Sequence, residues 1–460
     1  MNKGLKKGIS IVFFANIINL IFSLSRNFIL PKYLSFETYA DIKTYQLFIS
    51  YSGLFAMGYV DGMYLKYGGK NINDINIKEF LLNFSTFRIF QILVTLINVS
   101  IAVYLQDIIL LMVALTIPFL TIVDYFKCFF QAVGEFFIYS KLLNLSSVMM
   151  FIISIILIFI LKRVDSYSYI IAYTIIYGFI AIIIELYLHM KKKYKIKYLK
   201  FSYLEMKSSI ASGFALMISL LIFNFMTGLD RWFVKFTLDT ISFAHYSFAT
   251  SVLGFLSYAV SPISITMYNY FCKERDNHVI KKLKQAIILF SVIIVVCVFP
   301  VKFILEVYLI EYIKVLFVII ILFAEQVPNT IVRCFYVNLY KAEKKQRIFL
   351  MRVVTTVIMG IVLNIISYFF NGGMEGYAIA TGVSSVGWLI LSMLDFKAYM
   401  LEIRETLFVF FSILTFLICG ICLKSYIGII VYIIFVLIYA KGLMPNSLNM
   451  IIELLSLKKK

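Results

Sequence analysis

About fourteen apolar stretches, each long enough to cross a bilayer, alternate along this chain with connections of which every second one gathers the lysines and arginines. Roughly 20 apolar residues cross the hydrocarbon as a helix, because in lipid only a helix satisfies its own backbone groups within one segment. The pattern therefore predicts an all-α membrane protein of about 14 transmembrane helices. Several Arg, Asp and Glu residues also lie inside the apolar stretches. Each costs a few kcal/mol on insertion scales unless it faces a cavity or a partner, so the bundle is expected to have a polar interior.

The expected spans are Ile9 to Leu30, Tyr45 to Leu65, Phe80 to Leu105, Ile108 to Phe130, Leu142 to Leu161, Tyr169 to Met190 and Ile210 to Val234. Phe243 to Tyr268, Ile287 to Tyr308, Val315 to Leu339, Phe349 to Phe370, Tyr377 to Tyr399, Leu407 to Leu423 and Tyr426 to Leu443 follow. Basic clusters lie at Lys3, Lys6 and Lys7, at Lys66, Lys70 and Lys78, along Lys191 to Lys207, from Lys273 to Lys284, at Lys341 to Arg347, and at Lys458 to Lys460. Placed on one side, these put both termini in the cytoplasm, with an even number of helices between them. The first span holds Arg26 and lacks a small-residue cleavage site, so it reads as a helix and not as a signal peptide.

Composition narrows the function. The chain is 62% hydrophobic and only 15% charged, and no segment is polar enough to carry a nucleic-acid site despite the formal charge of +19. The six cysteines are scattered among apolar segments and read as small buried hydrophobes, including Cys419 and Cys422. His189, His245 and His278 are too dispersed for a metal site, and there is no P-loop, dinucleotide fingerprint or zinc motif. No cofactor is expected, and ATP hydrolysis by the chain itself is not expected either.

The intramembrane arginines are the strongest pointers to substrate. Arg26 and Arg231 fall near the outer ends of their helices, Arg88 and Arg333 in the inner half. A guanidinium is always charged, and its planar fork suits phosphate and carboxylate oxygens, so the four predict an anion-binding cavity. Asp61, Asp124, Asp230 and Glu325 are candidates for ion coupling, with structural pairing to cations as the competing explanation. Lys127, Glu185 and Lys302 sit near helix ends, where snorkelling accounts for them equally well. Pro118, Pro262, Pro300, Pro328 and Gly58-x-x-x-Gly62 are read as kinks and close helix packing, or as bends that let lobes rock.

The lysine-rich stretch is the expected internal boundary. It divides the chain into residues 1–190 with helices 1–6, a basic linker at 191–209, residues 210–400 with helices 7–12, and residues 401–460 with two further helices and a basic tail. The sequence after it echoes the start: Arg26-Asn27-Phe28 precedes Phe36 to Ala40, and Arg231-Trp232-Phe233 precedes Ile241 to Ala244. Six helices per repeat would make the repeat parallel.

Several short runs carry a family likeness. They are Lys7-Gly8, Leu30-Pro31-Lys32-Tyr33-Leu34 with Tyr39-Ala40, Gly58-Tyr59-Val60-Asp61-Gly62 leading to Lys66-Tyr67-Gly68-Gly69, and Gly228-Leu229-Asp230-Arg231. Ala244-His245-Tyr246-Ser247-Phe248-Ala249, Leu363-Asn364 and Gly376-Tyr377-Ala378-Ile379-Ala380-Thr381 complete them. In order and spacing the chain resembles the Wzx-type O-antigen flippases, the polysaccharide transporter branch of the multidrug/oligosaccharidyl-lipid/polysaccharide superfamily. The resemblance implies two pseudo-symmetric six-helix lobes around a central cavity plus two C-terminal helices. It implies transport of an undecaprenyl-diphosphate-linked oligosaccharide across the inner membrane by alternating access. Membrane lipids, a polysaccharide polymerase and a chain-length regulator are the implied partners, and no enzymatic step is implied. Two alternatives compete: a multidrug or cation antiporter of the same superfamily, which Asp61 and Glu325 would suit, and a membrane enzyme such as an O-antigen polymerase, which needs a large outer loop.

Overall fold

The computed structural model describes residues 3–68, 70–192, 200–271, 276–343 and 345–445. Those residues are nearly all helical and contain no β-strand. Among the described residues, twelve helices are long and apolar enough to cross a membrane. The other two expected spans are α1, Lys3–Tyr33, and a broken second stretch, so fourteen is an approximate count. Many large apolar side chains are exposed, among them Ile358 and Ile365, and Ile430 and Ile438. Such a surface is covered by lipid in a multi-pass membrane protein. Lys193, Lys195, Lys197, Cys272, Lys273, Arg275, Lys344 and Lys458 to Lys460, named above for orientation or as cysteines, lie outside the described residues.

The chain forms two compact units, Met1–Phe223 and Asn224–Lys460. The first contains α1, α2 (Phe36–Ile49), α3 (Tyr59–Tyr67), α4 (Ile77–Tyr104), α5 (Ile108–Ala132), α6 (Phe136–Ile155), α7 (Ser166–Lys192) and the start of α8 (Tyr203–Thr237). α5 is its hub, packing on α2, α3, α4, α6 and α7, while α1 lies along α6. The boundary between these two units falls inside α8. The physical reason is a tight crossing: a Cβ on Gly62 or Gly213 would lie less than 3.0 Å from backbone of the partner helix, so α8 is held against α3. Gly58 adds a second requirement, with φ of 80° where α3 begins.

The expected span from Tyr45 to Leu65 is therefore corrected. α2 ends at Ile49, a 3-10 turn covers Ser52–Ala56, Met57 and Gly58 take left-handed φ, and α3 restarts at Tyr59. The run Tyr51-Ser52-Gly53 supplies weak helix formers there, and the break lets α3 approach α8 closely.

The second unit contains the rest of α8, α9 (Thr240–Leu253), α10 (Leu256–Phe271), α11 (Asn277–Ile294), α12 (Val298–Val307) and α13 (Leu316–Ile331). α14 (Val337–Ala342), α15 (Gln346–Phe369), α16 (Gly373–Asp395), α17 (Ile403–Cys422) and α18 (Ser425–Leu443) complete it. α13 is its core: Val318 to Ile320 and Leu322 to Ile331 are all buried, packed by α9, α11, α16 and α17. The echo seen in sequence has a structural counterpart. Arg26 and Arg231 each precede a short turn and a helix of 14 residues, α2 capped by the Ser35 hydroxyl and α9 by the Asp239 carboxylate.

Lysine placement differs from the loop reading in one instructive case. Lys284 was expected in a cytoplasmic connection, yet it lies in α11 with its side chain 1% exposed, 2.6 Å from Glu405 of α17. Lys302, the snorkelling candidate, is buried and donates to the Gly420 and Leu423 carbonyls at 2.5 and 2.6 Å, capping the C-terminus of α17.

Candidate functional site

The second unit brings four of the eight sequence-predicted site residues together. Asp230, Arg231, Glu325 and Arg333 line one cavity of about 210 Å³, with Gln326, Asn329, Thr381, Ser384, Ser385 and Trp388 among its walls. α8 supplies the first pair, α13 and the turn after it the second, and α16 the hydroxyls. Arg231 and Arg333, assigned in sequence to two levels of the interior, thus face the same space.

Local sequence explains how Arg333 reaches that wall. Pro328 removes one amide from the end of α13, and the helix widens into a π-turn over Val332–Tyr336. Widening leaves carbonyls looking for donors. Asn338, 1% exposed, donates to the Cys334 carbonyl at 2.9 Å and to the Arg333 carbonyl at 3.4 Å, and the Ser264 hydroxyl donates to the Arg333 carbonyl at 3.1 Å. The turn is held by side chains, and its arginine is held with it.

Both carboxylates are buried and bonded by neutral donors. Asp230 accepts from the Tyr246 hydroxyl at 2.6 Å, the Thr381 hydroxyl at 3.3 Å and the Arg231 amide at 2.8 Å. Glu325 accepts from the Ser385 hydroxyl at 2.7 Å, Gln326 at 2.9 Å and Asn329 at 3.2 Å. Among the described residues neither carboxylate lies in a salt bridge, although Arg333 is within electrostatic reach of Glu325 and Arg231 of Asp230. A carboxylate held this way keeps its position while its charge stays available to the cavity.

The other four predicted residues lie in the first unit, in separate places. The Arg26 guanidinium stands over the Tyr173 ring at 5.7 Å. Arg88 of α4 sits 3.5 Å from Glu185 of α7 and over Phe84. Asp124 pairs with Lys127 one turn along α5 at 3.2 Å. Asp61 lies in the first turn of α3, where the N-terminal end of the helix dipole favours an anion, at the crossing with α8.

The structure makes prominent several charges that sequence reasoning passed over or, like Lys66, used only for orientation and likeness. Lys43 is 2% exposed in α2 and donates to Asn27 at 3.2 Å. Lys66 pairs with Glu79 at 2.9 Å and with Glu205, and Asn83 donates to Glu205 and to Ser209 at 3.1 Å each, joining α3, α4 and α8. Arg352 grips Asp395 with two bonds of 2.8 and 2.6 Å, and Tyr340 donates to the same carboxylate at 2.5 Å. Lys43 lies eight residues beyond the helix break at Ser35, inside an otherwise mixed segment, so only its apolar helical phase could have signalled burial.

No protein-family model and no curated protein matches this chain. Among solved structures, "Lipid II flippase MurJ, inward closed conformation" aligns with it at a TM-score of 0.69, with 16% identity over 95% of this chain and 99% of that one. The chain has the MurJ fold. A mutant of the Vibrio cholerae MATE transporter VcmN aligns at a TM-score of 0.49, with 14% identity over 86% of this chain and 95% of that one. The likeness spans nearly the whole sequence and shows the fold.

Proposed function

We propose that this chain is a flippase of Wzx type, moving an undecaprenyl-diphosphate-linked oligosaccharide, such as an O-antigen repeat unit, from the cytoplasmic to the outer leaflet of the inner membrane by alternating access. The observation that carries the reading is a polar cavity lined by two arginines inside a chain of MurJ-type fold. Moving a bare diphosphate and its sugars through hydrocarbon would cost tens of kcal/mol, so a flippase has to replace water with fixed cations and hydroxyls. Arg231 and Arg333, with Thr381, Ser384 and Ser385, are groups of that kind. Arg26 and Arg88 are assigned to the same substrate path, Arg88 with Glu185 as its resting partner.

Both termini are placed in the cytoplasm on the charge pattern, and polymerase and chain-length regulator are the proposed partners. For coupling to a proton or Na⁺, Asp230 and Glu325 are better candidates than Asp124, because Asp124 has Lys127 beside it. Asp61 is kept as a fourth candidate. An outward-moving diphosphate also gains about 2.3 kcal/mol per charge per 100 mV of inside-negative potential.

The test is translocation of a lipid-linked oligosaccharide in proteoliposomes together with restoration of surface polysaccharide in a flippase-deficient strain. Absence of both, with the protein inserted at normal levels, refutes the reading. Two buried carboxylates that lie in no salt bridge among the described residues favour one competitor, a cation antiporter. Uptake of organic cations against a proton gradient, with no oligosaccharide transport, would establish that competitor instead.

A further inference from the structure

The cavity of the second unit holds two guanidinium groups and two carboxylates, so with all four ionised its formal charge is zero. That is an odd composition for a site that binds a dianion. Among the described residues the carboxylates are fixed by hydroxyl, amide and backbone donors, and lie in no salt bridge. They act on the arginines through space, which leaves the attraction reversible when a stronger anion enters. Charges on neighbouring elements are engaged elsewhere: Lys284 with Glu405, Lys302 with the end of α17, and Asp395 with Arg352. His245 of α9 stands against Tyr312 and Lys314, away from the cavity walls.

We infer that Glu325 and Asp230 are resident counter-anions for Arg333 and Arg231: they neutralise the cavity when it is empty and compete with the diphosphate when it is occupied. The inference rests on the flippase reading for the identity of the anion. A transporter that moves cargo one way must return empty. Unbalanced positive charge in a low-dielectric interior would oppose that return, and built-in carboxylates lower the penalty at the expense of affinity. The same acids therefore weaken binding and speed the unloaded step.

The two effects separate experimentally. The probe is farnesyl-diphosphate-linked N-acetylglucosamine, a diester whose charge does not titrate near neutral pH, bound to the full-length purified chain in nanodiscs. Glu325→Gln keeps an oxygen for Ser385 and Asn329 while removing the charge, and is expected to tighten binding about tenfold. In proteoliposomes the same variant should retain exchange of labelled for unlabelled probe while net translocation falls. Asp230→Asn is the second variant and carries the test where Glu325→Gln does not fold, and Glu311→Gln, on an exposed turn outside the cavity, should leave affinity unchanged. Wild-type binding with no tightening in Asp230→Asn or Glu325→Gln overturns the counter-anion inference and leaves the flippase reading standing. Wild-type protein that neither binds the probe nor restores surface polysaccharide overturns both.

Discussion

Replacing Lys284 by Met tests how the C-terminal helix pair is attached. Lys284 and Glu405 are 1% and 2% exposed, their charged atoms 2.6 Å apart, and Lys284 also donates to the Met400 carbonyl at 2.7 Å. Glu405 is engaged a second time, because its carboxylate closes the capping box at the start of α17 by accepting from the Glu402 amide at 2.9 Å. Removing the lysine leaves a buried carboxylate uncompensated and the Met400 carbonyl without its donor. Breaking such a pair costs about 3–5 kcal/mol, and the orphaned carbonyl adds about 1–3 kcal/mol. Lys284→Met is thus expected to lower stability by more than 3 kcal/mol, whereas Lys284→Met with Glu405→Leu recovers the about 3–5 kcal/mol of the stranded charge, keeping the loss at the Met400 carbonyl and about 1 kcal/mol for the lost cap. Detergent-phase denaturation of the single and double variants reads both numbers. A single variant that loses less than about 1 kcal/mol, or a double variant worse than either single one, refutes the assignment of a buried pair pinning α17 to α11.

Other expectations follow from the same geometry. Gly62→Ala and Gly213→Ala should each destabilise the first unit by about 1–3 kcal/mol or abolish insertion, since the added methyl meets backbone and not a side chain that can move, and membrane levels of the two variants check it. Arg231→Ala and Arg333→Ala should impair polysaccharide export at normal membrane levels, with Lys restoring it only in part, while Arg88→Ala should show a milder defect that Glu185→Ala partly relieves; complementation measures all four. Cysteine labelling should find Lys200 and Lys207 inside and Asn371 outside, and external labelling of Lys200 would overturn the topology. Asp239, which lies before α9, has its carboxyl held below the usual range by the Ser242 hydroxyl and amide. Its cap therefore contributes fully above the unfolded aspartate value and fades as pH falls through the lower folded value, so Asp239→Ala should differ from wild type in thermal stability at neutral pH and converge with it in acid.

The periodic and compositional part of the fold was legible because lipid enforces it: every stretch of apolar residues long enough to span had to be helical. The broken second stretch was not, because Tyr51 to Gly58 is apolar enough to pass for helix, and only the backbone torsions at Met57 and Gly58 reveal the interruption. Intramembrane arginines were readable as unusual, and two of the four share a cavity. Which two could not be read, since the depth of a residue along its helix does not give its facing, and the π-turn at Val332–Tyr336 resets that facing without any sequence mark beyond Pro328. Lys284 shows the opposite failure. Within Lys281-Lys282-Leu283-Lys284 it reads as one more orienting charge, and its burial depends on Glu405, more than a hundred residues away.

The charges held between helices fall into two classes by how they are satisfied. Lys284 with Glu405, Arg352 with Asp395, and Lys66 with Glu79 and Glu205 are direct pairs within 4 Å, and each ties together helices of one unit. A direct pair is a poor carrier of function, because breaking it leaves a charge stranded and costs more than a substrate contact returns. Asp230 and Glu325 are satisfied by neutral donors, whose bonds survive when the field in the cavity changes. Their charge can therefore be offset in turn by an arginine, a proton or a metal cation while the carboxylate stays in place. Burial alone does not distinguish the two classes, since all of these acids except Glu79 and Glu205 are largely enclosed. The identity of the hydrogen-bond donor does, and on that criterion the second unit's cavity is where charge is left free to respond to cargo.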